Sequence, residues 1–103
     1  MTVTNLCNRD LQTLMAETPD LLLLDVRTPA EYTMLGHIPG SRLLPIHELA
    51  EQLDTLNPNQ KTVVICEHGV RSHDAAHYLV YKGFTQISHL EAGMAAWDGD
   101  RDY

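Results

Sequence analysis

Cysteine is scarce in this chain. There are two, Cys7 and Cys66, too few for the disulfide framework of a small secreted scaffold. Two thiols left unpaired fit a cytoplasmic protein. Long apolar runs are missing as well. The longest, "LLLL" at 21–24, falls far short of the ~20 residues that span a bilayer, so no membrane is expected as a partner. The opening "MTVTNLCNRD" has no positive start followed by a hydrophobic stretch, and no secretory signal is expected. Basic residues are few: seven Lys and Arg against 14 Asp and Glu, a formal net charge of −7. They are scattered along the chain, with no stripe to track phosphates, so nucleic acid is not an expected partner. Repeats, low-complexity tracts and linkers are also lacking. What is there is 103 residues, 44% hydrophobic and 20% charged, enough for one domain over 1–103 with a single core.

Short apolar runs alternate with amphipathic segments. Asn8 is placed to cap a helix over 9–16, which Pro19 ends. "LLLLDV" at 21–26 is a continuous apolar run and reads as a fully buried strand. Thr28-Pro29-Ala30-Glu31 has the form of a capping box with Pro at the first helical position. "SRLLP" at 41–45 is a weak strand. Ile46, Leu49, Ala50 and Leu53 recur at i, i+3, i+4 and i+7, one stripe of a helix. "NPNQ" at 57–60 is a turn, and "TVVIC" at 62–66 is a second buried strand. Over 72–82, Ser72, Ala75, Ala76, Leu79 and Val80 share one half of a helix, and Gly83 stands where a C-terminal cap belongs. A strand at 85–90 and a helix starting at 93–97 complete the chain. Unalternating strands between helices imply an α/β fold, with a mainly parallel central sheet covered by helices on both faces in three layers. Sites in such sheets form at the carboxyl ends of strands, and Cys66 is at one.

The stretch "CEHGVRS", residues 66–72, joins that strand to a helix. Helix amino ends carry unpartnered N–H groups and roughly half a positive charge, an arrangement that holds anions. Arg71 adds a permanent charge, Gly69 permits torsions closed to other residues, and Ser72 is expected to cap the helix. The set favours a nucleophilic thiolate at Cys66. A buried structural cysteine ending a strand is the plainer alternative.

The motifs resemble those of the single-domain rhodaneses, the rhodanese-like sulfurtransferase family. "CEHGVRS" is similar to that family's active-site loop C-x-x-G-x-R-S. "DVRTPAEYTMLGHIPGS" at 25–41 is similar to its D-V-R-x-x-x-E-[YF]-x-x-G-H-I-x-G-[AS] segment, and "LEAGMAAW" at 90–97 to its closing L-x-G-G-x-x-x-W, with Ala92 in place of the first Gly. The resemblance implies a three-layer rhodanese-like fold and a sulfurtransferase. In that reading Cys66 takes a sulfane sulfur from thiosulfate, a polysulfide or a persulfide, then yields it to a thiol, cyanide or a protein acceptor. Glu67, His68, Gly69, Val70, Arg71 and Ser72 would form the anion cradle. No metal and no organic cofactor is implied. Related phosphatases and arsenate reductases have a Cys-x5-Arg loop, whereas Cys66 to Arg71 is one residue shorter, which ranks phosphate chemistry second. Some domains of this fold bind or regulate without catalysis, but inactive copies usually lack the cysteine that is present here.

Other polar residues carry two readings each. Asp25 and Arg27 follow a buried strand, and either line the same sheet end as Cys66 or pair to fix neighbouring loops. Glu67, beside the nucleophile, would oppose a thiolate and repel dianions, so thiosulfate is expected to be a poor donor unless Arg71 offsets it. His68 is placed to line the cradle or supply a proton. His73 and His77 stand one helical turn apart, a metal-ligand spacing, though a solvated helix face explains them as well. Trp97 reads as a core aromatic with its N–H bonded, and Cys7 as an incidental thiol.

Overall fold

The computed structural model describes residues 2–103. Five parallel strands form one sheet: β1 (Thr4–Leu6), β2 (Leu22–Asp25), β3 (Arg42–Leu43), β4 (Thr62–Ile65) and β5 (Ile87–Leu90), in the order β1-β5-β4-β2-β3. The central strands are β4 and β5 with β2, and their runs are apolar because both faces are covered. In β4, Val64 points into one core with Leu24, Val26, Ala75, Ala76, Leu79 and Phe84, while Val63 and Ile65 point into another with Leu11, Leu23, Ile38, Met94 and Trp97. Helix α3 (Val70–Tyr81) covers the first face and α1 (Asn8–Glu17) the second. This is the three-layer α/β arrangement expected from the sequence.

Several elements differ from their expected form. α1 begins at Asn8 and is capped by Cys7. α3 starts at Val70, two residues early, and its N-cap is Gly69 rather than Ser72. The stripe over 46–53 does not form an α-helix. It folds as two 3₁₀ turns, Ile46–Glu48 and Leu53–Thr55, and the closing segment as a third, Met94–Ala96. An i, i+3 repeat serves a 3₁₀ turn as well as an α-turn, and Ile46–Leu49 and Leu53–Leu56 are such pairs. The capping box at α2 (Pro29–Met34) is present: Thr28 Oγ accepts from the Glu31 N–H at 3.2 Å, and Glu31 Oε1 accepts from the Thr28 N–H at 3.0 Å. β1 carries no apolar run and its first two residues are exposed, so nothing in its pattern marks it. Among the described residues, no helix is long and apolar enough to cross a membrane.

Candidate active site

Cys66 is the first residue past β4 and is 1% exposed. The chain does not enter α3 directly. It turns through Glu67, His68 and Gly69, and Gly69 has φ +91°, a region that favours glycine. A Cβ there would also strike the Glu91 carbonyl oxygen. The turn brings two backbone donors onto the sulfur: the Gly69 N–H at 3.0 Å and the Ser72 N–H at 3.2 Å. Ser72 Oγ lies 3.3 Å from the same atom. Two N–H groups on one sulfur suit an anion, because each can donate to it.

The opposite wall is the turn after β5. Met94 N–H donates to the Cys66 carbonyl at 2.8 Å and Ala95 N–H to the Glu67 carbonyl at 2.9 Å. The turn approaches this closely because Gly93, φ +75°, has no Cβ to meet Glu67. Ala92 needs no such freedom, as no residue other than glycine has positive φ among the described residues. The departure from the motif is therefore harmless, and "LEAGMAAW" serves as a clamp on the loop. Trp97 is buried and its indole N–H donates to the Asp100 carbonyl at 3.1 Å.

Charges beside the loop are paired. Arg27 and Asp25 are fully buried. The guanidinium donates to both Asp25 oxygens, with Nη2 at 2.8 Å from Oδ2, and also to the Gly36 carbonyl at 2.9 Å and Glu67 Oε1 at 3.0 Å. Burial pulls the Arg27 pKa down, but the hydrogen bonds and charges of Asp25 and Glu67 outweigh it and hold it above the usual value. Glu67 therefore does not stand beside the sulfur as a free carboxylate; its charge is met by Arg27. Arg71 is not a free cation either. It forms a bidentate pair with Glu31, 2.8 and 2.7 Å. The Arg71 hydrogen bonds hold the Glu31 carboxyl down to about 2, against the opposing pull of burial. This pair staples the first turn of α3 to α2.

The remaining expected loop members, His68 and Val70, are exposed. His73 and His77 are exposed too, with rings 4.3 Å apart and His77 Nδ1 2.9 Å from the His73 carbonyl oxygen. That is an outward helix face. One residue escapes the sequence reading altogether. His89, in β5, is 3% exposed; its Nδ1 lies 2.9 Å from Ser72 Oγ and its Nε2 3.0 Å from Asn5 Oδ1. The available signal is the polar pair Ser88-His89 inside the strand "ISHL", which a strand assignment does not single out.

A cysteine held by backbone donors between a parallel strand and a helix defines a class of α/β domains with a thiol at a strand's carboxyl end. Within that class, the rhodanese-like domain model matches residues 8–100, and the chain belongs to that family. A sulfurtransferase of Allochromatium vinosum is 34% identical over 92% of this chain and 88% of its own length. A thiosulfate sulfurtransferase of Pseudoalteromonas translucida is 35% identical over 82% and 79%. The crystal structure of a rhodanese-like domain protein from Staphylococcus aureus superposes with a TM-score of 0.85 at 32% identity, covering 95% of this chain and 93% of that one. The chain is a rhodanese-type sulfurtransferase, which takes a sulfur donor and a sulfur acceptor.

Proposed function

We propose that Cys66 carries the transferred sulfur as a persulfide, with thiosulfate as one donor. The thiolate attacks the sulfane sulfur. The donor's S–S bond breaks, sulfite leaves with the bonding pair, and a Cys66 persulfide anion remains. Cyanide, a small thiol or a protein thiol then attacks the outer sulfur, and the Cys66 thiolate is the leaving group. The observation that carries this reading is the pair of N–H groups on the sulfur, from Gly69 at 3.0 Å and Ser72 at 3.2 Å. They stabilise negative charge both before loading and on release.

Donor choice follows from the charge balance. Asp25, Glu67 and Glu31 face Arg27 and Arg71, so three carboxylates meet two guanidinium groups. The α3 amino end adds roughly half a positive charge. The sum is about half a negative charge before the thiolate is counted, far less than the carboxylates alone would give, which weakens the objection to a dianionic donor that Glu67 raises in the sequence. The name of the Pseudoalteromonas relative supports thiosulfate as well. Two free thiols fit a reducing compartment, and this reading places the protein in the cytoplasm without membrane or nucleic acid as partner.

Intact mass spectrometry tests the proposal. Incubation with thiosulfate should add one sulfur, cyanide should remove it, and Cys66→Ser should never gain it. Failure to gain sulfur, or Cys66-dependent turnover of a small aryl phosphate in its place, would overturn it.

A further inference from the structure

Behind the sulfur runs a chain of hydrogen bonds that the sulfur-carrier reading does not use. Cys66 Sγ lies 3.3 Å from Ser72 Oγ, Ser72 Oγ 2.9 Å from His89 Nδ1, and His89 Nε2 3.0 Å from Asn5 Oδ1. The chain crosses three elements, from α3 through β5 to β1. The inner members are shielded: Ser72 is fully buried and His89 is 3% exposed.

The donors can be assigned by elimination. With the Asn5 amide oxygen facing the ring, His89 Nε2 is assigned the proton, because an amide oxygen only accepts. A neutral ring then has a bare Nδ1, which accepts. Ser72 has one hydroxyl proton and three neighbouring acceptors: His89 Nδ1 at 2.9 Å, the Gly69 carbonyl at 3.2 Å and the Cys66 sulfur at 3.3 Å. The imidazole nitrogen is the nearest. With the proton spent there, Ser72 presents only lone pairs to the sulfur. These receive a thiol S–H but repel a thiolate or persulfide anion.

Protonating His89 reverses the arrangement. Nδ1–H becomes a donor to Ser72 Oγ, and the hydroxyl proton is released to the Gly69 carbonyl at 3.2 Å or the sulfur at 3.3 Å; an anionic sulfur is the stronger acceptor of the two. We propose that His89 is a positioning residue for Cys66, acting through Ser72: its neutral ring draws the Ser72 proton off the sulfur, and its cationic ring turns that proton onto the sulfur anion. The proposal rests on Cys66 as the sulfur carrier.

The groups facing His89 set where it switches. Burial lowers its pKa first, and His73, whose ring stands edge-on at 5.7 Å, lowers it further; Glu91 opposes them and His77 adds to them. His73, Asp74, Glu91, Asn5 and His68 also line the groove of about 380 Å³ that runs past Gly69 and His89. His89 is therefore neutral at pH 7, and the extra donor to the sulfur appears on the acid side. By linkage, an anion on Cys66 makes His89 easier to protonate.

Two measurements test this. The ¹⁵N spectrum of wild-type protein at neutral pH should show His89 as the Nε2–H tautomer; the Nδ1–H tautomer would overturn the proposal without any mutation. Alkylation of Cys66 by iodoacetamide, in a Cys7→Ser background, should fall about tenfold per pH unit below the thiol pKa. Across the pH at which NMR shows His89 titrating, it should fall by about threefold less than that line, because a donor is gained. His89→Asn keeps an amide near the Nδ1 position but cannot titrate, and should give the unbroken line. Ser72→Ala should do the same, and serves if the first variant does not fold. A wild-type profile with no break, or a break that survives Ser72→Ala, sinks the idea. Neither measurement needs sulfur transfer, so a failed thiosulfate loading with these results intact would count against the carrier role alone.

Discussion

Cys7 and Cys66 occupy the same kind of place. Each is the residue after a parallel strand, and each precedes a helix. Cys7 follows β1 and is itself the N-cap of α1; it is exposed. Cys66 follows β4 and is buried, and α3 begins four residues later. The difference lies in those extra residues. Three positions after Cys7 stands Asp10, already helical, whose carboxylate accepts the Cys7 N–H at 3.4 Å. Three positions after Cys66 stands Gly69, whose left-handed torsion returns its own N–H to the sulfur. A helix amino end beside a thiol is thus not enough to make an anion cradle. The backbone must curl back, and a second segment, the clamp at 93–95, must hold it there.

The largest expected effect comes from replacing each thiol in turn by a hydroxyl. Cys66→Ser should lower sulfur transfer at least about 10³-fold, the scale of losing a nucleophile. Cys7→Ser should leave it within about twofold, since solvent already surrounds that thiol. Thiosulfate:cyanide turnover of both variants decides it, and a large loss in Cys7→Ser would mean the exposed thiol takes part. Next comes the curl. Gly69→Ala forces a side chain into left-handed torsions and against the Glu91 carbonyl. It should cost about 3 kcal/mol or more, lowering Tm by roughly 12 °C or more for a domain this size. Gly40 has a similar torsion, φ +84°, with open space around it, so Gly40→Ala should cost only about 1 kcal/mol. Equal losses in thermal melts would show that torsion alone, and not the clamp, makes Gly69 necessary.

The Cys66 side of this comparison was legible in the sequence because local signals agree there. A β-branched run, a Gly, a basic residue and an amphipathic helix follow one another within about twenty residues, and each constrains the next. The capping box at Thr28–Glu31 was legible for the same reason. What could not be read depends on chain segments far apart. Glu67 meets Arg27 forty residues away, and Arg71 meets Glu31 at the same separation. No periodicity encodes either pair, so Glu67 read as a hazard and Arg71 as a free charge. His89 was lost because its partner Asn5 lies 84 residues away, on an edge strand without an apolar pattern. The 46–56 segment misled for another reason: its spacing fits two kinds of helical turn equally well.

The staple between α3 and α2 gives a pH-dependent test. Glu31 is held down to about 2 from 4.5 in the folded protein. A lowered carboxyl pKa contributes stability above its unfolded value and loses it as pH falls through the folded one. The contribution is therefore complete above about pH 5 and decays between about pH 4.5 and 2. Its side chain is a quarter exposed, so screening reduces the effect to about 1–2 kcal/mol. Urea melts from pH 6 to 3 should show it. Glu31→Gln should remove that part of the acid sensitivity while leaving Cys66 in place, and an unchanged pH slope would mean the pair is not formed in solution.

The smallest expected effect separates the two thiols' carboxylate neighbours. Asp10 stands near Cys7 at the protein surface, whereas Glu67 near Cys66 is tied to a buried guanidinium at 3.0 Å. If Arg27 absorbs the charge, removing it changes little at the sulfur. Glu67→Gln keeps an oxygen for Arg27 and should alter kcat/KM for thiosulfate by less than about threefold, with a similar change for a neutral donor such as an organic trisulfide. A rise well beyond that for thiosulfate alone would show that Glu67 repels the dianion despite its partner. Because Arg27 also serves Asp25 and the Gly36 carbonyl, its position is fixed from three sides. Glu67 is thus positioned by a guanidinium that other groups already hold in place, and its charge is offset by that shared guanidinium rather than by a group bonded to the sulfur.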